Sequence, residues 1–243
     1  MAHAGPSWGA PKPSVAPRCP RCFQGAAGGQ KFCGACGTPL PRRCELKHVT
    51  VLFTDVSGFT AMSERLDPED VRAIVEGGFE IVMEAVHAHG GTVNQFLGDG
   101  VMALFDDSDG DDHAVRAVRA ALAIEARLAP LRRDVNRRHG IAFRVRIGIH
   151  TGPVAVGVIG DGLRADYVPQ GKTTRTAARL VSLARAGEIL VSTVTRELSD
   201  GGFLFTPFED IFADADAVPL PAWRVDCELR ERVDAEAGTL AEV

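Results

Sequence analysis

Two sets of residues in this sequence have the types and spacing to do chemistry. The first is a pair of CxxC steps, Cys19-x2-Cys22 and Cys33-x2-Cys36, separated by ten residues in "CPRCFQGAAGGQKFCGACGTPL". Four thiolates in two such pairs can surround one Zn2+ tetrahedrally. Gly34 and Gly37 permit tight turns about the ion. A closed shell of four thiolates leaves no open coordination position, so the expected zinc is structural. The second set is Asp55 and Asp99. Asp55 ends the strand-like run "VTVLFTDV", and Asp99 sits between two glycines in "FLGDG". If both reach one sheet edge, their hard oxygens can hold Mg2+, with water and substrate phosphates completing its shell. Such an ion lowers the cost of an alkoxide attacking a phosphoryl group. Two simpler roles stand beside that one. Gly-Asp-Gly is a common turn, and Asp55 can cap a helix beginning near Ser57.

The rest of the chain must position these residues. Its 243 residues, 45% hydrophobic, suffice for one sizeable core and a small appendage. A net charge of -5 gives no global nucleic-acid surface. No run of eighteen apolar residues predicts a membrane span, and "MAHAGPSWGAPKPSVAP" lacks the apolar core of a secretory signal. A cytoplasmic setting is expected. Its reducing conditions suit clustered metal-binding cysteines better than a disulfide framework.

Residues 1–18, rich in Ala, Gly and Pro, are expected to be disordered. Residues 19–40 form the cysteine ribbon, 41–46 a linker, 47–225 a compact α/β domain and 226–243 a charged tail. In the domain, "HVTVLFTDV" has the β-branched density of a buried strand. Asp67 and Pro68 open a helix that Gly90-Gly91 ends, with Gly77-Gly78 weakening its middle. "TVNQFL" and "VMALF" flank Gly98-Asp99-Gly100 as a hairpin. "DDHAVRAVRAALAIEARL" is amphipathic, and Pro130 divides it from the helical stretch that follows. "FRVRIGIHTG" reads as strand and turn, "TTRTAARLVSLA" as helix and "EILVS" as a short strand. This order favours a mixed sheet with helices packed on it.

Four segments then carry a family resemblance across residues 47–225, in order: "VTVLFTDVSGFTAMSERL", "GGTVNQFLGDGVMALF", "RVRIGIHTGPVAVGVIG" and "TAARLVSLARAGEILVS". They resemble the signature segments of class III adenylate and guanylate cyclases. The resemblance implies a ferredoxin-like α/β fold and dimers with active sites shared across the interface. It also implies conversion of a nucleoside triphosphate to a 3',5'-cyclic nucleotide and pyrophosphate, with two Mg2+ or Mn2+ ions per site. By the same resemblance Asp55 and Asp99 match metal-binding aspartates, and the Val56 carbonyl matches a backbone ligand. The amides of Ser57, Gly58, Phe59 and Thr60 would face phosphates. Arg146 matches a phosphate-contacting arginine. Arg179 matches the arginine that steadies the transition state from the partner subunit, a task suited to a guanidinium fork. Without the resemblance, either arginine reads as a surface cation or a salt-bridge partner.

The sequence departs from that pattern in the base and ribose half. Gln95 stands where family members carry Lys or Glu, and Val168 where a polar base reader is usual. Arg175 replaces an Asn that positions ribose, and Lys172 replaces an acid. "ADADAVPLPAWRV" puts Asp214 or Asp216 where a phosphate-facing lysine is expected. The sequence therefore admits two functions: a cyclase with an altered base pocket, or a degenerate regulatory or nucleotide-binding domain, such as one half of a heterodimer. The ribbon is expected to dock a protein. Arg18, Arg21, Lys31, Arg42, Arg43 and Lys47 give only weak support for nucleic acid, lacking a matching aromatic series.

Overall fold

The computed structural model describes residues 19, 21–25, 30, 32–38, 45–106, 112–156, 171–208 and 220–229. The expectations for residues 1–18, Val168, Asp214 and Asp216 lie outside these.

The centre of the fold is β1 (Glu45–Val56), whose β-branched and aromatic run pairs on both sides. It begins inside the segment read as a linker, because Glu45 and Leu46 pair with Val156 and Ala155. Next come α1 (Phe59–Arg65), α2 (Pro68–Ala88), the hairpin β2 (Thr92–Leu97) and β3 (Gly100–Phe105), α3 (His113–Arg127) and α4 (Ala129–His139). Then follow β4 (Val145–Val156), α5 (Lys172–Leu183), β5 (Ile189–Ser192), α6 (Thr193–Leu198), β6 (Phe203–Phe208) and β7 (Ala222–Glu228). The strands form one sheet in the order β2-β3-β1-β4-β5-β7-β6, with only β4 and β5 parallel among its pairs.

Alternation along β1 sends side chains to two different cores. Leu52 and Val56 join the large core that also takes residues from α1 to α4. Val49, Val51 and Phe53 face the other way, with Met102, Val154 and the α5 residues Ala177 and Val181. Gly148 sets how closely α5 lies on β4. A Cβ there would stand 2.3 Å from the Val181 nitrogen and 2.6 Å from the Ala177 oxygen. Only glycine allows that backbone approach.

Pro130 divides α3 from α4 and lies in the first turn of the second helix, where a missing N–H costs nothing. Asp67 occupies the N-cap of α2, yet its side chain makes no capping hydrogen bond. Gly77 and Gly78 do not interrupt α2. A Cβ on Gly78 would lie 3.3 Å from the Phe143 ring, so its small size serves packing. β4 runs through the expected turn. Its pairing with β5 covers Ile147 to Ile149, and among the described residues only β1 pairs across from Pro153. A residue without an N–H is tolerated where one strand side is open. The C-terminal hairpin, β6 and β7, extends three residues into the segment read as tail, through Glu228.

Candidate active site and metal centre

Three strands bring the acidic residues together. Asp55 is opposite Gly100 on β3 and opposite Arg146 on β4. Asp99 is therefore in the turn beside Asp55. Gly98 makes that turn with φ 64°. Gly100 is required by space, since a Cβ would lie 2.4 Å from the Thr54 carbonyl oxygen. The Val101 amide donates to Thr54 Oγ1 at 3.2 Å, fastening hairpin to strand.

Arg146 lies across the site. Its Nε donates to Asp55 Oδ2 at 2.7 Å and its Nη2 stands 2.6 Å from the same oxygen. Its Nη1 donates to the Ser182 carbonyl at 3.4 Å, tying the end of α5 to the carboxylate. Burial, followed by the charge on Asp55, pushes the Asp99 carboxyl above its ordinary range, against a smaller opposing pull from Arg146. A carboxyl raised in part by a neighbouring carboxylate marks a place where a cation relieves repulsion. The hard-oxygen donor set fits Mg2+ or Mn2+.

The chain then turns into α1. Val56 is buried and pairs with Val145. The Ser57 amide donates to the Arg144 carbonyl at 2.9 Å, so this N–H is already engaged. The Ser57 hydroxyl is buried without a hydrogen-bond partner among the described residues. Gly58, at φ 75°, is the N-cap of α1, and Phe59 and Thr60 open the helix.

The other described residues of the expected site lie on β2 and α5. Gln95 on β2 is half-buried and opposite Met102, on the sheet face that α5 covers. Phe96 and Leu97 beside it are exposed. On α5, Lys172 and Arg175 are exposed and Arg179 is half-buried. The Arg179 carbonyl accepts from Ser182 Oγ at 2.8 Å. Sequence reasoning missed the Arg146–Asp55 ion pair. The signal was present, because Asp55 is near the end of β1 and Arg146 near the start of β4, which pair antiparallel, but the register was needed to join them.

The cysteine module is a separate candidate metal centre. The Sγ atoms of Cys19, Cys22, Cys33 and Cys36 lie within 4.8 Å of one another. Parallel backbone turns hold them: Cys19 N–H donates to Gln24 O at 2.9 Å, and Cys33 N–H donates to Thr38 O at 2.8 Å. Hydrogen bonding by Thr38, through side chain and then backbone, brings the Cys36 thiol down to about 6. The described cysteines are not bridged. Four converging sulfurs, one of them readily ionised, fit Zn2+.

Residues 43–218 match the family described as the adenylate and guanylate cyclase catalytic domain. The chain belongs to the class III nucleotide cyclases. Among its relatives in this cyclase family is adenylate cyclase 1 of Rhizobium meliloti, 35% identical over 199 residues that cover 80% of this chain and 30% of the relative. The chain thus spans less than a third of that protein. The adenylyl cyclase CyaB from P. aeruginosa is similar in structure, with TM-score 0.70, 32% identity and coverage of 77% of this chain and 98% of that one. The guanylate cyclase domain of RhGC from Catenaria anguillulae, solved in complex with GTP, gives TM-score 0.65, 27% identity and coverage of 76% and 100%. The mixed α/β fold is that of class III cyclase catalytic domains.

Proposed function

We propose that this chain is a nucleotide cyclase that converts a nucleoside triphosphate to its 3',5'-cyclic nucleotide and pyrophosphate for intracellular signalling. The observation that carries this reading is the pairing of Asp55 and Asp99 at the end of three registered strands, with Arg146 beside them. Asp55 and Asp99, with the Val56 carbonyl, would hold Mg2+ or Mn2+. Two bound ions would supply Lewis acidity at the ribose 3'-hydroxyl and charge neutralisation at the phosphate tail. Arg146 would leave Asp55 and take phosphate oxygens, its fork matching either anion. The amides at the start of α1 would orient the tail, and the hidden Ser57 hydroxyl is a donor suited to the same phosphates. Arg179, with Arg175 in a supporting position, would stabilise negative charge on the transition state from across a dimer interface. Gln95 and Val168 would contact the base. Gln95 offers both a donor and an acceptor, so it discriminates weakly between bases. The four cysteines would hold one structural Zn2+ and present the ribbon to a protein partner, in the cytoplasm.

The test is a four-nucleotide assay with mass detection, using ATP, GTP, CTP and UTP with Mg2+ or Mn2+. Cyclic product is expected from at least one. Alanine at Asp55 or Asp99 should abolish it. A second reading, a cyclase-like domain acting as half of a heterodimer or as a regulator, draws on the altered residues Gln95, Lys172 and Arg175. It gains ground if all four nucleotides bind and none is turned over, and the domain then complements a partner cyclase. Restoring Lys at Gln95, Thr at Val168 and Asn at Arg175 should raise ATP turnover if the base and ribose pocket alone is altered.

A further inference from the structure

A continuous chain of buried hydrogen bonds crosses the sheet away from the acidic site. His113 Nδ1, at the first residue of α3, meets Thr50 Oγ1 at 2.7 Å. Thr50 meets Thr151 at 2.8 Å, Thr151 meets Thr195 at 3.0 Å, and Thr195 meets Ser192 at 3.1 Å, all through hydroxyls. Ser192 Oγ meets His150 Nδ1 at 2.7 Å, beneath α5. The four hydroxyl residues are at most 3% exposed. The Thr195 amide also donates to Ser192 Oγ, which uses a lone pair and leaves the hydroxyl proton in the chain.

Counting protons constrains this chain. It contains five bonds, and its four hydroxyls supply one proton each. The fifth proton has to come from one histidine Nδ1, and the other Nδ1 has to accept. Two accepting rings leave one bond without a proton. Two donating rings bring one proton too many, an unfavourable meeting of donors in a dry interior.

We infer that His113 and His150 are the linked ends of one proton-counted chain, holding opposite tautomers, which couples the α3 face of the sheet to the face bearing α5. The inference concerns tautomers and does not rest on the cyclase reading. Its polarity follows from the surroundings. On acidification, the ring that already donates from Nδ1 can take a proton at Nε2 with every bond intact, whereas the accepting ring cannot. Burial, followed by the charges of Lys172 on α5 and His48 on β1, pushes the His150 ring down to about 4. His48 also meets the His113 ring edge-on at 5.9 Å between centroids. Nearby on the α3 side, Asp112 is engaged by Arg116, and Lys47 by Asp106. The arrangement that survives acidification has His113 donating and His150 accepting.

The experiment is long-range 1H–15N correlation on the full chain at neutral pH, with ring signals assigned by single histidine substitutions. His113 should carry its proton on Nδ1 and His150 on Nε2. Thr195→Val, which touches neither ring, leaves two hydroxyls for two bonds on the His113 side. That releases His113 toward Nε2–H, a change in tautomer ratio of roughly fivefold or more for one bond's worth of constraint. Thr195→Ser should restore the wild-type spectrum. Ser192→Ala, still further from His113, should release it in the same way and serves if Thr195→Val does not fold. The same tautomer on both rings in the wild type overturns the inference. So does a His113 tautomer that ignores both Thr195→Val and Ser192→Ala.

Discussion

The cysteine module and the sheet both bring distant residues to one point, with opposite resources. In the module, only Cys19 and Cys33 are buried among the described residues, while Phe23 and Phe32 stand 70% and 60% exposed. Phe23 even adopts φ 59°, a backbone region that suits glycine better. So small a core cannot offset the entropy of ordering the chain, and on the zinc reading proposed above an ion would supply that stability. In the sheet, Asp55, Asp99 and Arg146 are positioned by strand register above fully buried side chains. One centre would be organised by its proposed metal and the other is organised by its backbone.

The largest effect expected from this contrast is on the backbone side. Gly148→Ala forces a methyl group into the backbone of α5, with no flexible side chain to yield. The expected loss is about 3 kcal/mol or more, read as a drop in the denaturant midpoint. An unchanged midpoint would show that α5 is not seated through this contact. Next comes the metal side. Cys33→Ser, or chelation, should abolish zinc binding and expose the ribbon to protease, while the melting transition of the sheet domain stays in place. A shared, lowered transition would mean that the two regions are not independently organised.

Smaller effects separate the two aspartates. Asp55→Asn removes the partner of Arg146 and should cost about 1 kcal/mol, because the pair is partly exposed. Asp99→Asn should go the other way. Its carboxyl is raised in the fold, so the stability linked to it is full below the unfolded carboxylate range and lost as pH rises through the folded value. Removing the charge should therefore raise Tm slightly at neutral pH and leave it unchanged in acid. A Tm that falls at neutral pH would contradict the cost of burying this charge beside Asp55.

Most of the sheet was legible in the sequence because its strands are dense in Val, Ile and Phe and its hairpin is marked by Gly98 and Gly100. Pro130 and Gly90 marked helix ends for equally local reasons. The hairpin of β6 and β7 was not read, since "FLFTPF" and "AWRVDCE" are separated by a long intervening segment and pair only with each other and β5. In the site, Asp55 and Asp99 were visible as acids at strand ends, but their proximity, the hold of Arg146 on Asp55 and the buried hydroxyl chain all depend on register. Thr50, Thr151 and Thr195 look like ordinary β-branched residues until three elements stack them.

The Arg146–Asp55 pair has a thermodynamic consequence. On the proposed function, a divalent ion arriving alone at Asp55 would have to displace the Arg146 guanidinium and leave it without that anion. A metal–nucleotide complex would bring phosphates to replace the lost carboxylate together with the ion. Metal and triphosphate are thus expected to show positive linkage, each raising the apparent affinity for the other by the same factor. Titration calorimetry should find weak Mg2+ binding to the free chain and tighter binding with a non-hydrolysable triphosphate present. Replacing Arg146 with Met should shrink that difference, making the pair an ion-exchange threshold rather than a simple stabilising contact.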